Sequence, residues 1–171
     1  MRRLLTSGLV VFAGIVAIPV SISHPNETKK DYKKDPRFAV LRSFFAKANC
    51  PARHYTEAFL DAADRYDLDW RLLPSLSFIE STGGKAAKNN NMFGWDGGKA
   101  QFATPTAGIH AVGYRLATSP LYKDKDLDGV LNTYNSSDDY AQRVKSVMRR
   151  IAPRKRLPLE HPNTVVQAAE Q

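Results

Sequence analysis

The sequence predicts a mainly α-helical domain with one irregular or β-hairpin wall, and three observations carry that prediction. Apolar residues recur at helical spacing in several separate stretches, most clearly Leu72, Leu73, Leu76 and Ile79, and again Val144, Val147, Met148 and Ile151. Glycine, proline and asparagine are the punctuation between those stretches, above all at residues 83–98. With 171 residues and 43% hydrophobic content, the chain is long enough for one domain with a real core plus appendages.

Taken in order, Met1-Arg2-Arg3 and the apolar run 4–22 form a basic tip followed by a hydrophobic segment. Residues 1–23 read as a secretory signal or a retained membrane anchor, so the chain is expected to be exported: periplasmic, wall-associated or membrane-anchored. Gly8, Gly14 and Pro19 weaken the run as a stable span, while Ser21-Ile22-Ser23 offers small residues for cleavage. Residues 24–37 are polar with mixed charge, and read as a solvated linker. The domain proper is expected at 38–155, with a frayed tail at 156–171.

Phe38, Leu41, Phe44 and Phe45 predict a first helix over 38–48. A second helix is expected over 52–66, presenting Tyr55, Phe59, Leu60 and Ala63 to the core and Glu57, Asp61 and Asp64 to water. Cys50 is the only cysteine, which excludes an intramolecular disulfide and reads as a small buried apolar group. The third helix contains Leu72 to Glu80, with Asp69 as its expected N-cap and Gly83-Gly84 as its stop. Pro74 predicts a kink or a 3₁₀ opening. Glu80 falls in the last turn of that helix beside Ile79. Negative charge is disfavoured at a helix C-terminus and beside apolar side chains, and both effects favour a protonated carboxyl, which is what a general acid needs.

Residues 84–98 hold Asn89-Asn90-Asn91-Met92-Phe93-Gly94-Trp95-Asp96. Asparagine suits both tight turns and sugar hydroxyl or acetamido groups, and a tryptophan face suits stacking on a pyranose ring. Thr104-Pro105 opens a fourth helix with Ile109, Val112, Leu116 and Tyr114 as its expected core face and His110 at the rim. A short helix opened by Asp126 or Asp128 ends near Tyr134. Tyr134-Asn135-Ser136-Ser137-Asp138-Asp139-Tyr140 then leads into the last helix, ended by Pro153. No His/Cys/Asp/Glu cluster has metal-ligand spacing, so neither metal nor cofactor is expected.

A glutamate at a helix end, Asn90-Asn91 before Phe93-Gly94, a helix after Thr104-Pro105 and the Tyr134 to Val144 stretch follow one another in an order that resembles the lysozyme-like superfamily. Over residues 55–151 the chain most resembles bacterial glucosaminidase domains of the flagellar-hydrolase and autolysin type, and more distantly lytic transglycosylases. The resemblance implies an α+β lysozyme-like fold and cleavage of the β-1,4 glycan backbone of peptidoglycan. It implies Glu80 as general acid, Tyr134 as a second catalytic residue near the scissile sugar that stabilises the positive charge developing there, and Asn90, Asn91, Trp95, Asp96 and Tyr140 as substrate-binding candidates. A core role for Tyr140 and turn chemistry for the asparagines compete with those assignments. Asp96 is the only acid in the wall stretch, where glucosaminidases of this type often carry a glutamate. The formal charge of +8 and the Arg149-Arg150 and Arg154-Lys155-Arg156 cluster suit nucleic acid in general. In an exported chain they point instead to anionic wall polymer or a membrane surface, with no nucleic acid expected.

Overall fold

Helix α3 (Leu72–Ser81) is the element on which the others close, because it is apolar nearly all round. Leu72, Leu73, Pro74, Ser75, Leu76 and Ser77 are all buried. Such a helix belongs in the interior. The computed structural model describes residues 30–153, which from Asp31 onward belong to one compact unit. Its elements run α1 (Pro36–Lys47), α2 (Thr56–Arg65), α3, α4 (Pro105–Thr118), α5 (Leu127–Tyr134) and α6 (Tyr140–Ile151), with 3₁₀ turns at Tyr32–Lys34 and Pro51–Tyr55. The architecture is mainly helical. Helix α3 lies against α2 and α6, α2 against α1 and α4, and α5 against α6.

Each start has a local cause. Asp35 caps α1 by accepting from Arg37 N, and Pro36 occupies the first helical position. Thr104 and Asp126 cap α4 and α5 in the same way. Asp69 does not cap α3 as expected. Its carboxylate accepts from Arg71 N in a local turn, and α3 begins at Leu72 after a residue without a side-chain cap. Of the kink or 3₁₀ opening expected at Pro74, an i→i+3 bond at the helix start is what is seen, Leu72 N–H donating to Asp69 O at 2.8 Å. As the third helical residue, Pro74 lacks an N–H that would have had no intrahelical partner anyway. Buried Arg71 ties this corner to the end of α6, donating to Ala152 O at 2.8 Å while held by Asp69.

The expected linker 24–37 is folded from residue 31 onward. Tyr32 is buried and donates to Asp64 at 3.2 Å, and Arg37 bridges Asp35 and Asp64 at 2.7 Å each. Arg37 and Lys33 thus face the acidic side of α2, through Asp64 and Glu57, which is why polarity alone misread it. Burial, and next the nearby Asp64, push the Tyr32 phenol up to about 12. The signal or anchor segment 1–23 and the tail 156–171 lie outside the described residues.

The core runs through Leu41 and Phe45 of α1, Phe59 and Leu60 of α2, Leu73 and Leu76 of α3, Ile109 and Val112 of α4, Leu131 of α5 and Val144 of α6. An aromatic chain crosses it, Phe44 to Phe45 to Phe59 to Phe93, with ring centroids 5.4, 5.6 and 6.4 Å apart. Phe93 thereby anchors the irregular wall in the core. Tyr114 is instead exposed, outside the core assigned to it. Cys50 is buried under Gly83, whose φ of +60° and contact with Cys50 leave no room for a side chain. Burial raises the thiol's pKa and keeps it inert. Burial likewise lowers His110 against the opposing charge of Asp61, 3.5 Å away. No helix among the described residues is long and apolar enough to cross a membrane.

Candidate functional site

The last turn of α3 delivers Glu80 half-buried to the edge of the irregular segment. The helix stops one residue later because Thr82 turns left-handed (φ 53°), with its N–H on Phe78 O and that of Gly83 on Ser77 O. This is an αL closure, with the Thr82 N–H on Phe78 O and threonine where glycine is usual, a strained choice for a β-branched residue. Ser81 fastens this helix end to the wall. Its hydroxyl donates to Met92 O at 2.8 Å and accepts from Gly84 N at 3.0 Å.

The wall itself is a series of turns. A single bridge, Lys88 with Asn91, is the only β pairing found among the described residues, so the hairpin alternative is not what forms. Left-handed Asn89 and Asn90 make the tight turn that this bridge closes, with Asn91 N–H donating to Lys88 O at 2.8 Å, and left-handed Gly94, Asp96, Gly97 and Gly98 keep the chain beyond it from running on as a strand. Asn91 organises the turn from inside. It is buried, its Oδ1 accepts from Phe93 N (3.3 Å) and Trp95 N (3.0 Å), and its Nδ2 donates to Trp95 O (3.0 Å). Asn90 donates to Phe102 O at 2.8 Å, stitching the wall to the entry of α4. Asn91 spends its whole amide on the loop and Asn90 its Nδ2, the turn chemistry that competed with sugar binding.

Two tyrosines close the other side. Tyr140, first residue of α6, is buried and donates its hydroxyl to Glu80 Oε1 at 2.6 Å. Tyr134, last residue of α5, donates to Phe93 O at 2.6 Å. Their rings stack, 6.0 Å between centroids and 8° apart in plane, and Trp95 meets Tyr134 edge-on at 5.7 Å. The direct partner of Glu80 is thus Tyr140, while Tyr134 holds the wall carbonyl beside it. Burial first, and then the hydrogen bond and charge of Glu80, drive the Tyr140 phenol far up. Burial followed by the charge of Glu80 does the same to Tyr134. Both stay protonated and act as donors at any ordinary pH.

The second carboxylate oxygen faces Gly94. A Cβ on Gly94 would sit 2.9 Å from Glu80 Oε2, and the φ of +59° independently asks for glycine. Glu80, Ser81, Ala86, Lys88, Asn91, Gly94 and Gly98 line a cavity of about 120 Å³, in which Glu80 is the only carboxylate. Asp96 is exposed on the wall and does not line it. Trp95 is half-buried between Tyr134 and Tyr122. Ser81, Lys88 and Gly94 were not singled out from sequence. Gly94 had a signal in the Phe-Gly pair, whereas Ser81 and Lys88 had none. Among the described residues no group of three or more His, Cys, Asp or Glu side chains could hold a metal ion.

The arrangement can present one carboxyl in a fixed orientation: one oxygen is held by a phenol, and the other lies over a residue with no side chain. No family model matches the sequence, and no curated protein matches it significantly.

Proposed function

We propose that this chain cleaves the glycan backbone of peptidoglycan, as a β-N-acetylglucosaminidase-type glycoside hydrolase of lysozyme-like fold with Glu80 as general acid. The observation that carries the reading is the asymmetric seating of Glu80 at the end of α3. Oε1 accepts from Tyr140, which fixes the carboxyl plane, and Oε2 is left over Gly94 beside the cavity. A proton carried on Oε2 is delivered to the glycosidic oxygen as the bond to the anomeric carbon breaks. General acid transfer of this kind contributes about 10²- to 10⁴-fold in rate.

Standard retaining and inverting schemes need a second carboxylate. Glu80 is the only acid lining the cavity, and this favours schemes in which the substrate supplies the nucleophile. In one, the acetamido oxygen attacks the anomeric carbon, giving an oxazoline that water opens. In the other, the 6-hydroxyl closes an anhydro ring, and the chain is a lytic transglycosylase. Asp96 as base would require the wall to fold inward. Trp95, half-buried on the wall, is the candidate for contact with a sugar ring, and Tyr134, committed to Phe93 O, acts by positioning the wall. An exported location, with the basic residues toward anionic wall polymer or membrane, belongs to the same reading.

Mass spectrometry of purified peptidoglycan after incubation separates these outcomes. Reducing N-acetylglucosamine ends mark a glucosaminidase, and anhydro-muramic ends mark a transglycosylase. A folded chain that sediments with peptidoglycan yet releases no fragment would make it a non-catalytic wall-binding module.

A further inference from the structure

Away from the Glu80 cavity, a second cavity of about 150 Å³ opens between the start of α1, the 3₁₀ turn Pro51–Tyr55 and the first turn of α2, lined by Lys33, Phe38, Arg42, Arg53, His54, Thr56 and Glu57. Three side chains in it are cationic and one is anionic, so it carries a net charge of +2. Lys33 answers Glu57 loosely at 3.8 Å. Neither Arg42 nor Arg53 has a carboxylate partner among the described residues.

Both guanidinium groups are nevertheless held in place. Arg42 lies over the Phe38 ring at 5.9 Å, one helical turn away, which fixes the cation without neutralising it or occupying its N–H groups. Arg53 donates Nε–H to His54 Nε2 at 3.1 Å. An imidazole that accepts at Nε2 carries its proton on Nδ1, leaving a further donor. The cavity therefore combines two arginine forks, an ammonium and a ring N–H, with space for about five water volumes. Arginine forks match the paired oxygens of phosphate, and positioned but unneutralised arginines are the usual means of recognising it.

We propose that this cavity is a binding site for a phosphate group, occupied by a free phosphate ester or by a phospholipid headgroup, and separate from the Glu80 cavity. The ligand displaces water from Arg42 and Arg53 and accepts from both. The adjoining Glu57 carboxylate disfavours a polyanion lying across the pocket and favours a single phosphoryl group entering it.

The test is a titration of the full-length chain, followed through the backbone amide resonances of His54, Thr56 and Glu57, which line the cavity and remain in every variant. Inorganic phosphate and monomeric short-chain phosphatidylglycerol are the two ligands, with sodium chloride at matched ionic strength as control. Saturable shifts with a Kd on the order of 1 mM are expected, weakened at least tenfold in the Arg42→Gln/Arg53→Gln double variant and unchanged in Arg149→Gln. Saturation by phosphate alone assigns the site to free phosphate esters, and saturation by the lipid alone to a headgroup. Saturation by both shows a site that takes either. Equal shifts with chloride, an unaffected double variant, or equal weakening by Arg149→Gln would each overturn the proposal. The substituted side chains are exposed, and far-UV circular dichroism checks that the variants fold.

Discussion

Replacing Tyr140 by Phe removes one atom from the site and leaves its ring in place. That atom donates at 2.6 Å to Glu80 Oε1, in a position where the phenol is buried and the carboxylate half-buried. Hydrogen bonds to charged groups contribute about 1.5–3 kcal/mol, and stacking on Tyr134 survives the substitution. At roughly 4 °C per kcal/mol for a domain of this size, Tyr140→Phe is expected to lower Tm by about 6–12 °C. A double-mutant cycle with Glu80→Ala isolates the pair, because independent sites add within about 0.5 kcal/mol. Urea unfolding of the four proteins should give a coupling of about 1.5–3 kcal/mol. Coupling inside the additivity limit would refute the contact on which the Glu80 orientation depends.

Gly94→Ala forces a Cβ to 2.9 Å from Glu80 Oε2 at φ +59°. It should cost about 1–2 kcal/mol in backbone energy and lower glycan cleavage more than stability, read as kcat against Tm. Asn91→Ala strips three hydrogen bonds from the turn and leaves the buried Phe93 N–H without its acceptor. A loss of about 2–4 kcal/mol in urea unfolding is expected, together with exchange of the Phe93 and Trp95 amides. Alkaline unfolding provides a pH test. The folded Tyr140 phenol holds its proton more tightly than the free side chain. Its contribution to stability is therefore complete below about pH 10, and is lost as pH rises beyond that through the raised folded value. Tyr140→Phe should flatten the fall in stability above pH 10.

The helices were legible because their apolar periods and their Gly and Pro boundaries agree. Helix α6 is the clearest, with Val144, Val147, Met148 and Ile151 buried as spaced. Errors arose where a side chain bonds somewhere its spacing does not reveal. Asp69 serves a turn before α3, and Arg37 and Lys33 are answered by Asp64 and Glu57 on another helix. The wall residues were legible as turns, with Asn91's whole amide and Asn90's Nδ2 spent on backbone, an outcome fixed by left-handed residues that composition only suggests. The place of Glu80 in the last turn of a helix was legible. Which tyrosine would reach it was not, because the path of residues 135–139 sets that, and spacing along the chain does not encode the turn.

The most direct test of the central claim compares the native chain with Glu80→Gln on purified peptidoglycan, measuring the rate of glycan fragment release and, in parallel, sedimentation with the polymer. Gln keeps the shape and can still accept from Tyr140, but has no acidic proton to give. The account predicts release reduced by about 10²- to 10⁴-fold, with sedimentation unchanged. Release at the native rate by Glu80→Gln, or no release by the folded native chain, would contradict it.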